Sequence, residues 1–157
     1  YRMLSDRGYT LKEESKIYSI FKKRDDKPVI IIFSTDDKLN INNIKEYIQL
    51  KKDINHVIII YTNSITSAAK KSINYYVNKQ IELFNQKEIL PFPLTDHVLV
   101  PKHEKVDKKE IERFVKDPSN LPKILTTDAI ARYYYFKQND IIKITRRTGI
   151  VAYRLVI

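Results

Sequence analysis

Three histidines and no cysteine limit the side-chain chemistry open to this 157-residue chain. Without thiolates there is no disulfide and no cysteine-bound metal, which suits a reducing compartment without establishing one. His97 and His103, with Asp96 and Glu104 beside them, come nearest to a metal-ligating group. Protein zinc sites use compact spacings such as His-Glu-x-x-His, and none occurs here. Packing and hydrogen-bonding roles therefore fit these histidines better than ligation. No metal and no cofactor is expected. Gly8 and Gly149 are the only glycines, so no glycine-rich phosphate loop, dinucleotide fingerprint or Gly-x-Ser-x-Gly elbow can be written.

A second arrangement has more chemical content. Asp36-x-Lys38 follows the apolar run Val29–Phe33, and Asp25 or Asp26 lies upstream. Metal-dependent nucleases hold Mg²⁺ with carboxylates near a strand end and steady the attacking water with a lysine. The pattern arises readily by chance in so lysine-rich a chain, and Thr35-Asp36-Asp37 reads equally well as a turn before a helix near Asn40. A Mg²⁺-dependent nuclease stands as one alternative and a free-standing nucleic-acid-binding regulator as another. Both draw on the formal net charge of +10, which favours an anionic partner but also fits a merely soluble basic domain.

The elements that would position these residues alternate in type. Val29–Phe33 and Val57–Tyr61 are β-branched, apolar and predicted as buried strands, with Gln80–Phe84 as a third. Ile41, Ile44 and Ile48 mark one face of a helix. Ile65, Ala69, Ile73 and Tyr76 mark another, with Ser64 or Thr66 as N-cap. Helices through Leu4 and near Glu13–Phe21 would complete the cover of a sheet enclosed on both faces. Tyr1-Arg2-Met3-Leu4 reads as a helix end, so further residues are expected before Tyr1. The longest apolar runs have five residues, far short of the roughly 20 that span a bilayer, and no membrane partner is expected. Leu90-Pro-Phe-Pro-Leu94 interrupts the pattern, because two prolines favour an extended connection. The domain boundary falls there, giving domains 1–89 and 90–157. In the second, His97–Val100 is predicted as a short strand. Asp107-x-x-Glu110 should open a helix with Ile111, Phe114 and Val115 on its apolar face. Ile141–Ile144 and Ile150–Val156 should form a hairpin closed near Thr148-Gly149. The fold class is α+β: an N-terminal α/β/α domain with a small covered sheet, and a smaller mixed C-terminal domain.

The stretch after the prolines carries five ordered blocks. They are His97-Val-Leu-Val-Pro101-Lys102-His103, Leu121-Pro-Lys-Ile124, Asp128-Ala-Ile-Ala-Arg132-Tyr133, Ile141-Ile-Lys143-Ile-Thr-Arg146, and Tyr153-Arg154-Leu-Val156. In this order they resemble the C-terminal assembly domain of the fifth-largest subunit shared by the nuclear RNA polymerases, a family with archaeal members. Upstream, Met3-Leu-Ser-Asp-Arg-Gly-Tyr9 resembles that family's helix-to-turn motif, and Thr66-Ser67-Ala68-Ala stands where the family has Thr-Pro-Ser-Ala. The archaeal members lack the N-terminal domain, so its presence points to a eukaryotic enzyme or a eukaryote-infecting virus. Divergence and AT-rich residue usage favour a large DNA virus. The sequence departs from the family at Ala129 (proline in the family), at the glycine missing after Arg132-Tyr133, and in a loop shortened to Arg146–Gly149.

The resemblance implies a non-catalytic subunit of an RNA polymerase, with no catalytic residue of its own. The C-terminal domain would dock on the largest subunit beside a neighbouring small shared subunit, through His97, Pro101, Lys102, His103, Arg132, Tyr133, Lys143, Arg146, Tyr153 and Arg154. For each of these, packing within its own domain or solvation is an equal alternative. Tyr133–Phe136 reads as core or protein-interface packing rather than base stacking. The N-terminal domain would form a jaw beside downstream duplex DNA, facing it weakly and without sequence preference through Ser64, Thr66, Ser67, Ala68, Lys70 and Lys71. An ordinary solvated face explains each lysine as well. The location implied is intracellular: virus factory or virion, or host cytoplasm, for a viral chain, and nucleus for a cellular one.

Overall fold

A computed structural model describes residues 1–23, 27–89, 96–111, 115 and 117–157. The chain divides into two compact units, Tyr1–Pro91 and Phe92–Ile157. The boundary assigned to the Leu90–Leu94 segment lies outside the described residues.

The first unit opens with α1 (Arg2–Asp6). The helix ends where Gly8 takes a left-handed φ of 84°. Gly8 N donates to Ser5 O at 2.8 Å and Tyr9 N to Leu4 O at 2.8 Å, the paired bonds of a Schellman cap that require a residue free to adopt positive φ. Next come β1 (Thr10–Glu14) and β2 (Tyr18–Lys22), an antiparallel hairpin. A helix was expected near Glu13–Phe21, and the structure corrects it. Ile17, Tyr18, Ile20 and Phe21 mimic helical spacing because β2 is buried on both faces, and neighbouring apolar residues on such a strand point opposite ways.

β3 (Val29–Ser34), β5 (His56–Tyr61) and β7 (Gln80–Asn85) occupy the predicted strand positions. The five-stranded sheet runs β1-β2-β3-β5-β7, antiparallel as far as β3 and parallel from β3 to β7. One face carries Ile20, Ile30, Ile32, Val57 and Ile59, packed with Ile44 and Ile48 of α2 (Ile41–Leu50). Asn40 caps α2, its side chain accepting from Asn42 N and Asn43 N while Asn43 Oδ1 accepts from Asn40 N. The opposite face carries buried Phe21, Val29, Ile31, Ile58 and Phe84. Tyr1, at the start of α1, sets its ring 5.3 Å from Phe21 and 6.2 Å from Phe33 on that face. The result is the expected α/β/α layering. Two short strands, β4 (Lys38–Leu39) and β6 (Ser64–Ile65), pair in parallel beside it.

The predicted 65–76 helical stripe is broken up. Ile65 lies in β6, α3 spans only Ser67–Ser72, and a 3₁₀ turn follows at Ile73–Tyr75. α4 (Gln86–Ile89) closes the described part of this unit.

The second unit is built on a four-stranded sheet, β8-β10-β11-β9: β8 (Lys102–Val106), β9 (Lys123–Ile124), β10 (Ile141–Thr145) and β11 (Val151–Val156). The β10–β11 hairpin closes on Gly149 at φ 82°. The strand expected at His97–Val100 is instead a turn, in which Val100 N reaches His97 O at 2.9 Å. The strand starts after Pro101, which has no N–H to give to a ladder. α5 (Lys108–Ile111) follows β8 at the position predicted for a helix; Phe114, assigned to its apolar face, lies outside the described residues. α6 (Ala129–Tyr134) is capped by Asp128, whose Oδ1 accepts from Ile130 N at 2.8 Å. Ile130, Ala131 and Phe136 pack with Ile142, Ile144 and Val156 on one sheet face, while Val106, Ile111 and Ile141 cluster on the other.

Candidate interaction surfaces

In the first unit, the residues proposed to face DNA share one end of the fold. Leu39 O accepts from Thr66 N at 3.0 Å, tying β4 to the start of α3. Thr66 Oγ1 then accepts from Ala69 N at 3.0 Å. Thr66 is thus the N-cap, and Ser64, as part of β6, is not. Ser64, Ser67, Ala68, Lys70 and Lys71 are all exposed, and Thr66 is half-buried. With only six residues in α3, few peptide dipoles add, and Thr66 already satisfies one of the free amides. Any attraction of phosphate to this end would therefore rest on the charges of Lys70 and Lys71 in the last turn, not on the helix itself.

Asp36, the acid of the alternative nuclease reading, is occupied: its Oδ2 accepts from Ser34 Oγ at 2.9 Å and Tyr47 OH at 2.7 Å. Burial and the bond to Asp36 push the Tyr47 hydroxyl pKa up. Asp25 and Asp26 lie outside the described residues, so the upstream acid of that reading has no described position.

A network that sequence reasoning did not identify binds α1 to the sheet. Arg7 forks onto Glu82, with both Nη atoms 2.8 Å from its two oxygens. His56 Nε2 lies 2.6 Å from the same carboxylate. The side chains of Arg7, Glu82 and His56 are nearly inaccessible, at 3%, 10% and 9%. Burial pushes the Glu82 carboxyl up, but the bonds and charge supplied by His56 and Arg7 outweigh it and hold the group below its ordinary value. The available signal was Arg7 within the Met3–Tyr9 motif, but nothing in the sequence paired it with residue 82.

In the second unit, strand register sorts the proposed interface residues. Cross-strand partners share a face. The pairs Lys143↔Glu104, Lys143↔Tyr153 and Thr145↔Lys102 put Lys102, Lys143 and Tyr153 on one face. Ile144↔His103 and Ile142↔Arg154 put His103 and Arg154 on the other. His97, Pro101 and Arg146 lie off the sheet, in the preceding turn and the hairpin end. The ten residues therefore do not form one patch. Tyr153 packs partly against its own unit's Val106–Ile111–Ile141 cluster, and Tyr133 is buried. Tyr134 stacks on Phe136 with centroids 5.4 Å apart, so this aromatic run is used internally. His103 is half-buried; burial lowers its imidazole pKa, against the opposing pull of the Pro101 carbonyl 2.8 Å away. Lys102, Arg146 and Arg154 remain exposed. Among the described residues no cluster of acids and histidines could hold a metal ion, and no helix is long and apolar enough to cross a membrane.

The chain is thus two small α+β units with exposed basic side chains on both, Lys70 and Lys71 on the first and Lys102, Arg146 and Arg154 on the second. Residues 92–156 match the family model described as RNA polymerase Rpb5, C-terminal domain. The Dictyostelium discoideum protein named DNA-directed RNA polymerases I, II, and III subunit rpabc1 is 30% identical, over 99% of this chain and 92% of its own length. The Caenorhabditis elegans RPABC1 subunit is 30% identical, over 82% of this chain and 66% of the relative. The Arabidopsis thaliana DNA-directed RNA polymerase V subunit 5A is 25% identical, over 99% and 83%. The chain belongs to the Rpb5 (RPABC1) family of DNA-directed RNA polymerase subunits. None of these relatives is named as a nuclease.

Proposed function

We propose that the chain is a non-catalytic subunit of a multisubunit DNA-dependent RNA polymerase, divided between assembly and placement of DNA. The second unit docks on the largest subunit beside a neighbouring small shared subunit. The first forms a jaw next to downstream duplex DNA. The observation that carries this reading is the family match over residues 92–156, together with the relative aligned along 99% of the chain. Chemistry and Mg²⁺ would reside in the large subunits. An intracellular site follows: virus factory, virion or host cytoplasm for a viral chain, nucleus for a cellular one.

The DNA contribution is small by this account. Lys70 and Lys71 offer at most two phosphate contacts that position the duplex without reading it. In the assembled polymerase, Lys70→Glu with Lys71→Glu should weaken retention of downstream duplex and lower the salt dependence of binding by about two phosphate contacts, equally for all sequences. Unchanged salt dependence would remove the jaw contact from the account. The subunit reading itself is tested by affinity purification of the tagged full chain from its native source, which should bring down the large polymerase subunits. A tagged chain that returns as a lone monomer contradicts it.

A further inference from the structure

The two outer strands of the second unit's sheet differ in how they meet solvent. β8 is charged along its length: Lys102 pairs with Glu104 at 2.7 Å and Lys105 with Asp140 at 2.7 Å. Charged side chains on an edge discourage strand addition. Among the described residues β11 is outer for most of its length as well, because β9 covers it only at Leu155 and Val156.

The hydrogen-bond phase along β11 is fixed. Arg146 N donates to Ile150 O at 2.9 Å and Val156 N to Asp140 O at 2.9 Å. Even-numbered residues of β11 therefore turn their amides toward β10, and odd-numbered ones turn away. Leu155 N follows that rule, donating outward to Pro122 O at 2.9 Å. Val151 and Tyr153 point the same way, and no described residue pairs with their backbone. This open rung is flanked by apolar surface, with Val151 42% and Ile150 59% exposed. It is also flanked by positive charge. Arg154 reaches across to Lys123 O at 3.4 Å, and Arg146 and Arg147 stand exposed at the hairpin end. From Ile141 to Ile157 there is no acidic residue.

We propose that the Val151–Arg154 edge of β11 receives an extended, acidic segment of another polymerase chain as an added strand, continuing the place that β9 begins. Backbone pairing at Val151 and Tyr153 supplies the register, and Arg154 with the hairpin arginines selects for carboxylates. This rests on the subunit reading above and names the contact chemistry within it.

The test uses the full chain and the polymerase from its own source. The Val151 and Tyr153 amides exchange freely with solvent in the lone chain and slow by at least about a hundredfold on assembly. Val151→Pro deletes an outward N–H while leaving the ladder to β10 intact, and it assembles roughly tenfold more weakly with an unchanged thermal midpoint. Arg154→Glu weakens assembly in the same direction and serves if the proline variant does not fold. Wild-type affinity in the variants, or unslowed amides in an assembled complex, overturns the added strand and leaves the subunit reading standing. Self-association of the lone chain that Val151→Pro abolishes also overturns it, because the edge would then serve a second copy. Failure of the wild-type chain to assemble overturns both.

Discussion

Tyr135 occupies a position that a helix ordinarily gives to glycine. It lies at φ 59°, ψ 42°, just past α6. Its N donates to Arg132 O at 3.1 Å, and Phe136 N to Ala131 O at 2.9 Å, the same two bonds that close α1 at Gly8. The polymerase family has a glycine after the Arg-Tyr pair that matches Arg132-Tyr133, and in this chain Tyr135 takes up a left-handed backbone in that stretch. Lys137 Nζ sits 3.1 Å from the Tyr135 ring centroid and offsets part of the strain. Tyr135→Gly should raise stability by about 1 kcal/mol, less whatever that cation–π contact contributes, as read by denaturant midpoint. The converse change, Gly8→Ala, should cost about 1 kcal/mol through its φ of 84° alone, since a Cβ there meets only the flexible end of Lys23 at 3.4 Å. At the Arg7–Glu82 pair, Arg7→Ala leaves a buried carboxylate without its main partner and should destabilise by about 3 kcal/mol or more. Glu82 is held below its unperturbed 4.5, so its contribution is complete above that pH and is lost as pH falls through the lower folded value. Acid unfolding curves should show this limb in the wild type and a flatter one in Glu82→Gln.

Elements were legible where a single period decided them. β3 and β5 announced themselves as compact β-branched runs, and α2 as a stripe at Ile41, Ile44 and Ile48, whereas β7 has a single β-branched residue, Ile81. Burial on both faces hid β2, because Ile20 and Phe21 serve opposite layers. Tertiary pairing hid β8: Lys-His-Glu-Lys-Val has little apolar content, and it becomes a strand because β10 offers Ile141–Thr145 as a partner. The proposed interface set suffered for the same reason. Without β8, nothing in the sequence could say that Lys102 and His103 face opposite ways. Short helices depend on their caps, so Thr66→Ala should cost about 1 kcal/mol and loosen the α3 end that presents Lys70 and Lys71. Amide exchange at Ala69 is the direct readout.

The whole molecule is two small units, and size matters to both. Domains under about a hundred residues bury a modest share of their surface. The exposed apolar residues Val98, Leu99, Leu125, Ile150 and Val151 of the second unit suit a chain that gains burial by assembling. This also explains why the molecule's role was legible mainly through ordered motifs. Contacts to a larger chain leave no catalytic constellation, only exposed residues that look like ordinary surface until a partner covers them. Cross-linking mass spectrometry on polymerase purified from the native source addresses the division of labour most directly. The account predicts links from Lys102, Lys123 and Lys143 to the largest subunit, and from Lys70 and Lys71 to downstream DNA. A chain that yields no link to any polymerase subunit, in preparations where the polymerase itself is intact, would contradict it.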